Sequence, residues 1–349
     1  MGYEIKHAVV ALSGGLDSAV AAALLLEQGW QVLGVHLVLT DSWPENFDLP
    51  ALGRFLGIEV RRLDLRQEFQ QQVIDYFIRA YQGGTTPNPC VRCNEQIKFG
   101  HLRQQARAWG YPYLATGHYA RLAPTPQGGW GLYRGADPGK EQSYFLHRLA
   151  PASLANILFP LGGWTKAQVR GKAEALGLVP YILTRESQEL CFIPGKYPEY
   201  LQTQGRGQGP GPIVNRSGEL LGTHRGLEHY TIGQRQGLGI AAAAPYYVLA
   251  LEPAGNKLVV GAKAELLATD VLVEDVNWLV PPPTAPQRVT VRLRYRHPGV
   301  SCLMRPASAG QVQVRLDRPQ TAVTPGQAAV FYQDDQVLGG GWIVRGDQP

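Results

Sequence analysis

Residues 8–18 constrain the fold of this chain more than any other segment. Ala8 to Leu12 is an unbroken apolar run with strand character, Ser13-Gly14-Gly15-Leu16-Asp17-Ser18 follows at once, and Asp17 to Gln28 has the alanine- and leucine-rich pattern of a buried helix. Strand, glycine turn and helix in that order build a parallel-sheet unit, because parallel neighbours need a crossover and a helix is the usual one. Glycines at such a turn let the backbone approach an anion closely, and the helix start adds unpaired N–H groups and the positive end of the dipole. The serine hydroxyls add donors for phosphate oxygens, and Asp17 suits holding the loop or a magnesium ion. The loop is neither Gly-x4-Gly-Lys-Ser/Thr nor Gly-x-Gly-x-x-Gly. The competing reading, an ordinary glycine turn with a serine cap, is weakened by the strand before it and the helix after it.

The alternation continues. Val32 to Leu39 and Val60 to Leu65 read as strands, Leu49 to Leu56 and Glu68 to Tyr81 as helices, Asn94 to Trp109 as a helix and Tyr113 to Thr116 as a strand, with a helical region from Pro151 to Leu176. The expected fold is α/β, a parallel sheet with helices on both faces over residues 1–203. Gln204 to Pro212, dense in glycine and proline, reads as a linker into a small central β-rich unit, 204–265. Beyond the proline cluster 281–283 the period becomes two, as in Val289, Val291, Leu293 and in Val312, Val314, Leu316, which predicts an antiparallel β-barrel over 266–349. A length of 349 residues accommodates these units.

Four cysteines in such a chain exclude a disulfide scaffold and indicate a reducing compartment. The longest apolar run, Ala19 to Leu26, is far short of the ~20 residues that span a bilayer, and the first ten residues lack the regions of a signal peptide. A soluble cytoplasmic protein is expected. Thr86-Pro87-Asn88-Pro89-Cys90-Val91-Arg92-Cys93-Asn94 sets two thiols three residues apart ahead of a helix, with Arg92 as a nearby charge that favours a thiolate. Nucleophile, metal ligand and plain structure are the three readings. Zinc is disfavoured because Cys191 and Cys302 do not form a second pair. The prolines and asparagine ahead of the pair mark an exposed loop. Cys191, in Ser187-Gln188-Glu189-Leu190-Cys191-Phe192-Ile193-Pro194, is a third thiol before a turn, and Cys302 lies between strand-like runs as an inert one. The net charge of +5 says little, but between Arg288 and Arg318 seven arginines (288, 292, 294, 296, 305, 315, 318) face one acid, Asp317. Arginine suits bidentate phosphate contacts; a solvated strand face is the plainer alternative.

The segment Ser13–Ser18 resembles the phosphate loop of the PP-loop ATP pyrophosphatases, which cleave ATP between the α and β phosphates and adenylate a carbonyl oxygen. The combination of Ser13–Ser18, Thr86–Gly100, Ala115–Arg121, Lys140–Leu146, Leu190–Pro194, His229–Gly239 and Thr324–Tyr332 resembles, over nearly the whole chain, the bacterial tRNA-specific 2-thiouridylases, the MnmA family. That resemblance implies ATP with Mg2+, adenylation of O2 of uridine 34, and replacement of that oxygen by sulfur. It implies Cys93 as nucleophile and Cys191 as persulfide carrier, the two joining in a transient disulfide. It also implies ATP contacts from Ala11, Leu12, Ser13, Gly14, Gly15, Leu16, Asp17, Ser18, Leu37 and Gly117, and tRNA contacts from His118, Lys140, Glu141, Gln142, Arg294, Tyr295 and Gln327. The implied partners are the anticodon arm of tRNA and a persulfide donor such as a cysteine desulfurase or relay protein, and the implied state is a monomer.

Two departures stand out. Cys90 occupies a place where many members carry an aspartate, a candidate acid or base. With Cys93 and Cys191 it makes a three-thiol set of the kind that holds an iron–sulfur cluster with one open corner. The stretch Thr40 to Pro50 is also shorter than usual. A PP-loop amidating ligase using ammonia is the alternative activity; it needs neither Cys93 and Cys191 nor an arginine-rich barrel. A non-catalytic tRNA-binding module would not need an intact Ser-Gly-Gly-x-Asp-Ser loop.

Overall fold

The computed structural model describes residues 6–41, 47–183, 190–193, 197–203, 209–307 and 310–344. Part of the shortened stretch 40–50, residues 187–189 and Pro194 of the Cys191 motif, and residues 204–208 of the expected linker lie outside them.

The parallel sheet is present, with strand order β3-β2-β1-β4-β7: β1 (His7–Ala11), β2 (Gln31–Val38), β3 (Glu59–Asp64), β4 (Tyr113–Ala115) and β7 (Ile157–Leu158). β1 is central and covered on both faces, so Ala8, Val9 and Val10 are fully buried. Helix α1 (Leu16–Glu27) reads apolar on every side because it is enclosed, packed on α5 (Lys166–Ala175) through a core that includes Val20, Leu24, Val169 and Ala173. Helix α2 (Leu49–Leu56) lies between β2 and β3. The chain winds outward from β1 through β2 to β3, then returns to β1's other side as β4. A crevice opens at such a reversal above the carboxyl ends of the strands, and residues 13–18 occupy that place.

Helix α3 spans residues 66–82 and α4 residues 89–108; each holds a π-helical stretch, Gln70–Ile74 in α3 and Cys93–Leu102 in α4. α4 begins five residues earlier than the sequence pattern predicts. Asn88 Oδ1 accepts from the Val91 amide at 3.4 Å, and Pro89 sits at the first helical position, where its missing N–H costs nothing. Both thiols of the pair therefore ride on the helix itself. The loop ahead of it is not exposed: Pro87, Asn88 and Pro89 are buried, with the Thr86 amide donating to Pro325 O at 2.9 Å.

The expected helical region 151–176 divides into a 3-10 turn (Pro151–Asn156), β7 and α5, which starts at a reciprocal Thr165–Gln168 capping box. A short helix, α6 (Tyr197–Thr203), precedes the central unit. That unit is a four-stranded sheet, β8 (Gly211–Val214), β9 (Leu220–His224), β10 (Tyr247–Glu252) and β11 (Lys257–Gly261), in the order β10-β11-β8-β9. Gly211 and Pro212, expected in the linker, pair in β8 with His224 and Thr223.

The expected antiparallel barrel closes over six strands: β12 (Leu267–Trp278), β13 (Gln287–Arg292), β14 (Val300–Pro306), β15 (Val312–Thr321), β16 (Ala328–Gln333) and β17 (Gln336–Val344). Its interior collects the period-two residues, Val289 and Val291 with Val312, Val314 and Leu316. A hairpin that the sequence pattern does not announce, β5 (Ala120–Pro124) and β6 (Trp130–Arg134), leaves the parallel domain and extends the barrel sheet through Tyr133 and Gln336. Among the described residues no helix is long and apolar enough to cross a membrane.

Two of the buried histidines, His147 and His118, are held without charge. His147 donates from Nδ1 to Tyr144 O at 2.8 Å, and burial pushes its pKa down to about 3. Burial likewise holds His118 well below the usual histidine range. The unfolded chain takes up these protons below about pH 6.5 and the folded one does not, so stability is complete above that pH and falls as pH drops toward the folded values. Urea unfolding at pH 7 and pH 5 is expected to show a loss of about 2 kcal/mol per histidine. The loss is expected to shrink in His147→Leu, whose pH slope carries one proton fewer.

Candidate active site

A cleft of about 2450 Å³ lies between the carboxyl ends of β1 and β2, the start of α4 and one side of the barrel. Its nucleotide end is the loop after β1. Gly14 adopts φ +85°, and a Cβ there would fall 2.8 Å from the Phe47 ring, so glycine is required on both counts. The two serines brace the turn: Ser13 Oγ lies 3.1 Å from Ser18 Oγ, and Ser18 Oγ donates to Gly15 O at 2.9 Å. Gly117 comes from the loop after β4 and lies against the start of α1, where a Cβ would sit 2.8 Å from the Asp17 carbonyl carbon. Ala11, Leu12, Ser13, Gly15, Leu16, Asp17, Ser18, Leu37 and Gly117 all face the cleft, while Gly14 lies buried behind it.

Asp17 is held by groups the sequence pattern does not disclose. Lys166 Nζ donates to both carboxylate oxygens at 2.7 and 2.8 Å, and the Tyr119 hydroxyl donates to one of them at 2.8 Å. Lys166 stands at the first turn of α5, 149 residues away along the chain. His36 is a second undisclosed neighbour, donating from Nδ1 to Leu12 O at 2.8 Å.

The thiols line the same cleft. Cys93 is buried in the second turn of α4, Cys90 and Cys191 are exposed, and all three are free. Burial pushes the Cys93 thiol up to about 12, and partial desolvation of the sulfur atoms against the cleft wall raises those of Cys90 and Cys191 although the residues reach solvent. The charge that opposes burial at all three is Lys98, and the expectation placed on Arg92 is corrected. The Arg92 guanidinium is turned away, bonded to Glu95 at 3.0 Å and lying 5.1 Å from both the Tyr76 and Trp342 rings. Cys302 is fully buried in the barrel, its thiol donating to Val289 O at 3.5 Å. Among the described residues no three His, Cys, Asp or Glu side chains gather closely enough to hold a metal ion, so the cluster expected on Cys90, Cys93 and Cys191 has no assembled ligand set.

The residues expected to meet tRNA are distributed unevenly. His118 lines the cleft but is buried between Phe99 and Phe159, its Nδ1 2.7 Å from Thr116 Oγ1. Lys140 lines the cleft, whereas Glu141 is buried in an ion pair with Arg292 at 2.6 Å, and Gln142 Oε1 accepts from the Tyr119 amide at 3.0 Å. Gln327 Nε2 donates to Thr86 O and Pro87 O, each at 3.2 Å, and so fastens the segment that leads into Cys90 and Cys93. Tyr295 packs one ring face on Phe145 at 4.4 Å, and Arg294 is exposed outside the cleft lining. The arginines of the run are not equally exposed or equally unpaired. Arg292 is buried, Arg288 pairs with Asp317, and Arg315 pairs with Asp270, an acid from another strand.

Comparison with known proteins follows this geometry. The family described as tRNA methyl transferase HUP domain matches residues 6–195, that described as tRNA methyl transferase PRC-barrel domain residues 199–262, and that described as aminomethyltransferase beta-barrel domain residues 268–343. A tRNA-specific 2-thiouridylase MnmA of Geobacter metallireducens is 44% identical over 356 residues, covering 97% of this chain and 96% of that one. The chain belongs to the tRNA-specific 2-thiouridylase (MnmA) family. The MnmA of Moorella thermoacetica matches equally, 44% identical with 96% and 98% covered. A solved 4-thiouridine synthetase in complex with RNA and ATP is 17% identical over 57% of this chain and 50% of that one, with a TM-score of 0.35. The likeness to the MnmA proteins spans the phosphate loop, the thiol pair and the barrel together. A name for sulfur transfer also agrees with thiols on the cleft wall, which the methyl transferase wording of the domain descriptions does not require.

Proposed function

We propose that this chain replaces O2 of the wobble uridine of tRNA with sulfur at the expense of ATP. One observation carries the reading: the phosphate loop, Cys90, Cys93 and Cys191, and the inward edge of the barrel all face one cleft. Uridine O2 attacks the α-phosphorus of ATP, pyrophosphate leaves into the loop of Ser13–Ser18, and the carbonyl oxygen becomes the bridging oxygen of an adenylate. The terminal sulfur of a persulfide on Cys191 attacks C2, and AMP departs with the oxygen. The Cys93 thiolate then attacks Cys191 Sγ, and the S–S electron pair passes to the sulfur on C2. The products are 2-thiouridine and a Cys93–Cys191 disulfide, which an external dithiol reduces.

Magnesium bound with ATP supplies neutralisation of phosphate charge. Asp17, at the loop and paired with Lys166, is the carboxylate that would hold it. The sulfur enters from a persulfide donor protein, and a monomer suffices because every group named comes from one chain. The ammonia-using ligase is not favoured, since it leaves the thiols facing the cleft without a task.

The test incubates the protein with ATP, Mg2+, a persulfide source and unmodified tRNA, and separates the product on a mercury-containing gel. ATP-dependent retardation of tRNA bearing U34 is expected. Retardation without ATP, or none with all components present, overturns the proposal.

A further inference from the structure

Cys93 and Lys98 are five residues apart, a spacing that an α-helix sends to different faces and that the i→i+5 bonding of a π-helix stacks. The π-helical stretch of α4 runs from Cys93 to Leu102, and its wider turns bring the two residues toward one side of the helix, where both line the cleft. π-Helical turns are rare and concentrate at functional places. Lys98 is half-buried and lines the same cleft as Cys90, Cys93 and Cys191. Among the described residues no carboxylate lies within ion-pairing distance of it. Of the cations that line the cleft with it, Lys166 is paired with Asp17 and Arg292 with Glu141. A half-buried ammonium without a counter-ion is costly to hold, and it fits a place where an anion forms during turnover.

We propose that Lys98 is the counter-ion of the sulfur anions formed in this cleft, the Cys93 thiolate and the terminal sulfur carried on Cys191. It is a positioning residue for the sulfur-transfer reaction and rests on that reading. Its charge lowers the cost of the Cys93 thiolate in a buried place and keeps the sulfane anion of Cys191 directed at α4. The charge-bearing groups that share its surroundings are Cys90, Cys93, Cys191 and His118, the last held neutral by burial with Lys98 adding to the effect.

The test measures alkylation by iodoacetamide at Cys93 and Cys191 separately, by peptide mass spectrometry across pH, with no ATP or tRNA present. Lys98→Met is expected to shift both profiles upward by about one pH unit, a tenfold slower reaction at neutral pH. Lys98→Arg is expected to restore the wild-type profile, and Cys302 serves as the internal reference for unfolding. Lys98→Gln replaces the methionine variant if the latter loses its cooperative melt. Profiles that coincide in wild type and in the uncharged variant overturn the proposal. So does a shift that Lys98→Arg fails to reverse, since packing alone would then account for it. The readout is independent of thiolation: a wild-type protein inactive on the mercury gel with a Lys98-dependent alkylation profile sinks the function and leaves the counter-ion intact.

Discussion

In a single turnover without added reductant, Cys93→Ala is expected to form the tRNA adenylate at the wild-type rate and to release less than about one-thousandth of the thiolated product. The two halves of the chemistry sit on different elements: the phosphate loop lies between β1 and α1, whereas Cys93 lies on α4. Removing Sγ from α4 leaves the bonds among Ser13, Gly15 and Ser18 untouched. Without Cys93 no thiolate is placed to attack Cys191 Sγ after AMP leaves, so the sulfur on C2 stays attached to Cys191. Cys93→Ala is therefore expected to accumulate tRNA joined to the protein through a bond that dithiothreitol cleaves, releasing thiolated tRNA once. Cys191→Ala should give neither product nor adduct. Pyrophosphate release, gel retardation under non-reducing conditions and mass spectrometry of the adduct check the three statements. Full turnover by Cys93→Ala, or an adduct that survives reduction, excludes the assigned order. The same substitution at Cys302 is expected to leave every step in place, because that thiol only fills the barrel core.

What was legible in advance follows from how local the governing physics is. The strand–glycine–helix segment 8–18 is a local arrangement, and its position at the reversal of the sheet follows from parallel winding. The barrel strands announce themselves by period two because one face of each is filled with Val, Leu and Met. Most missed features depend on distant residues. Asp17 is held by Lys166 from α5, and the Thr86–Pro87 backbone by Gln327 from the barrel. Asn88 and the prolines have the composition of an exposed turn, but the barrel covers them and they become a buried helix cap. The π-helical register of Cys93–Leu102 likewise changes which residue faces the thiols, so that Lys98 takes the place the sequence gives to Arg92. Arginine composition is silent on which members of the run have partners elsewhere in the fold. Seven arginines against one local acid suggest a phosphate surface, yet Glu141 and Asp270 reach in from elsewhere to claim two of them.

Arg292→Met is expected to lower folding stability by about 3–5 kcal/mol, the cost of leaving one member of a buried ion pair alone. The guanidinium joins the two halves of the cleft: it donates to Glu141 at 2.6 Å, to His297 O at 3.0 Å and to Tyr295 O, and it lies 5.7–5.9 Å from the rings of Tyr144, Tyr295 and Tyr332. Methionine keeps the volume and removes the charge, so Glu141 is left buried and unpaired. Adding Glu141→Gln should recover part of the loss, which separates the charge effect from packing in a double-mutant cycle. Urea midpoints at constant slope measure both. The same variant bears on tRNA. Arg292 is buried and anchors the turn that carries Arg294, Tyr295 and Arg296, with each of its three nitrogens bonded within the protein. Arg292→Met should therefore weaken tRNA binding while leaving the slope of log K against log salt unchanged. Arg294→Ala, removing an exposed cation, should reduce that slope by about one if it meets a phosphate. A reduced slope in Arg292→Met would return the residue to the phosphate surface and release Glu141 from its role as the partner that keeps it inside.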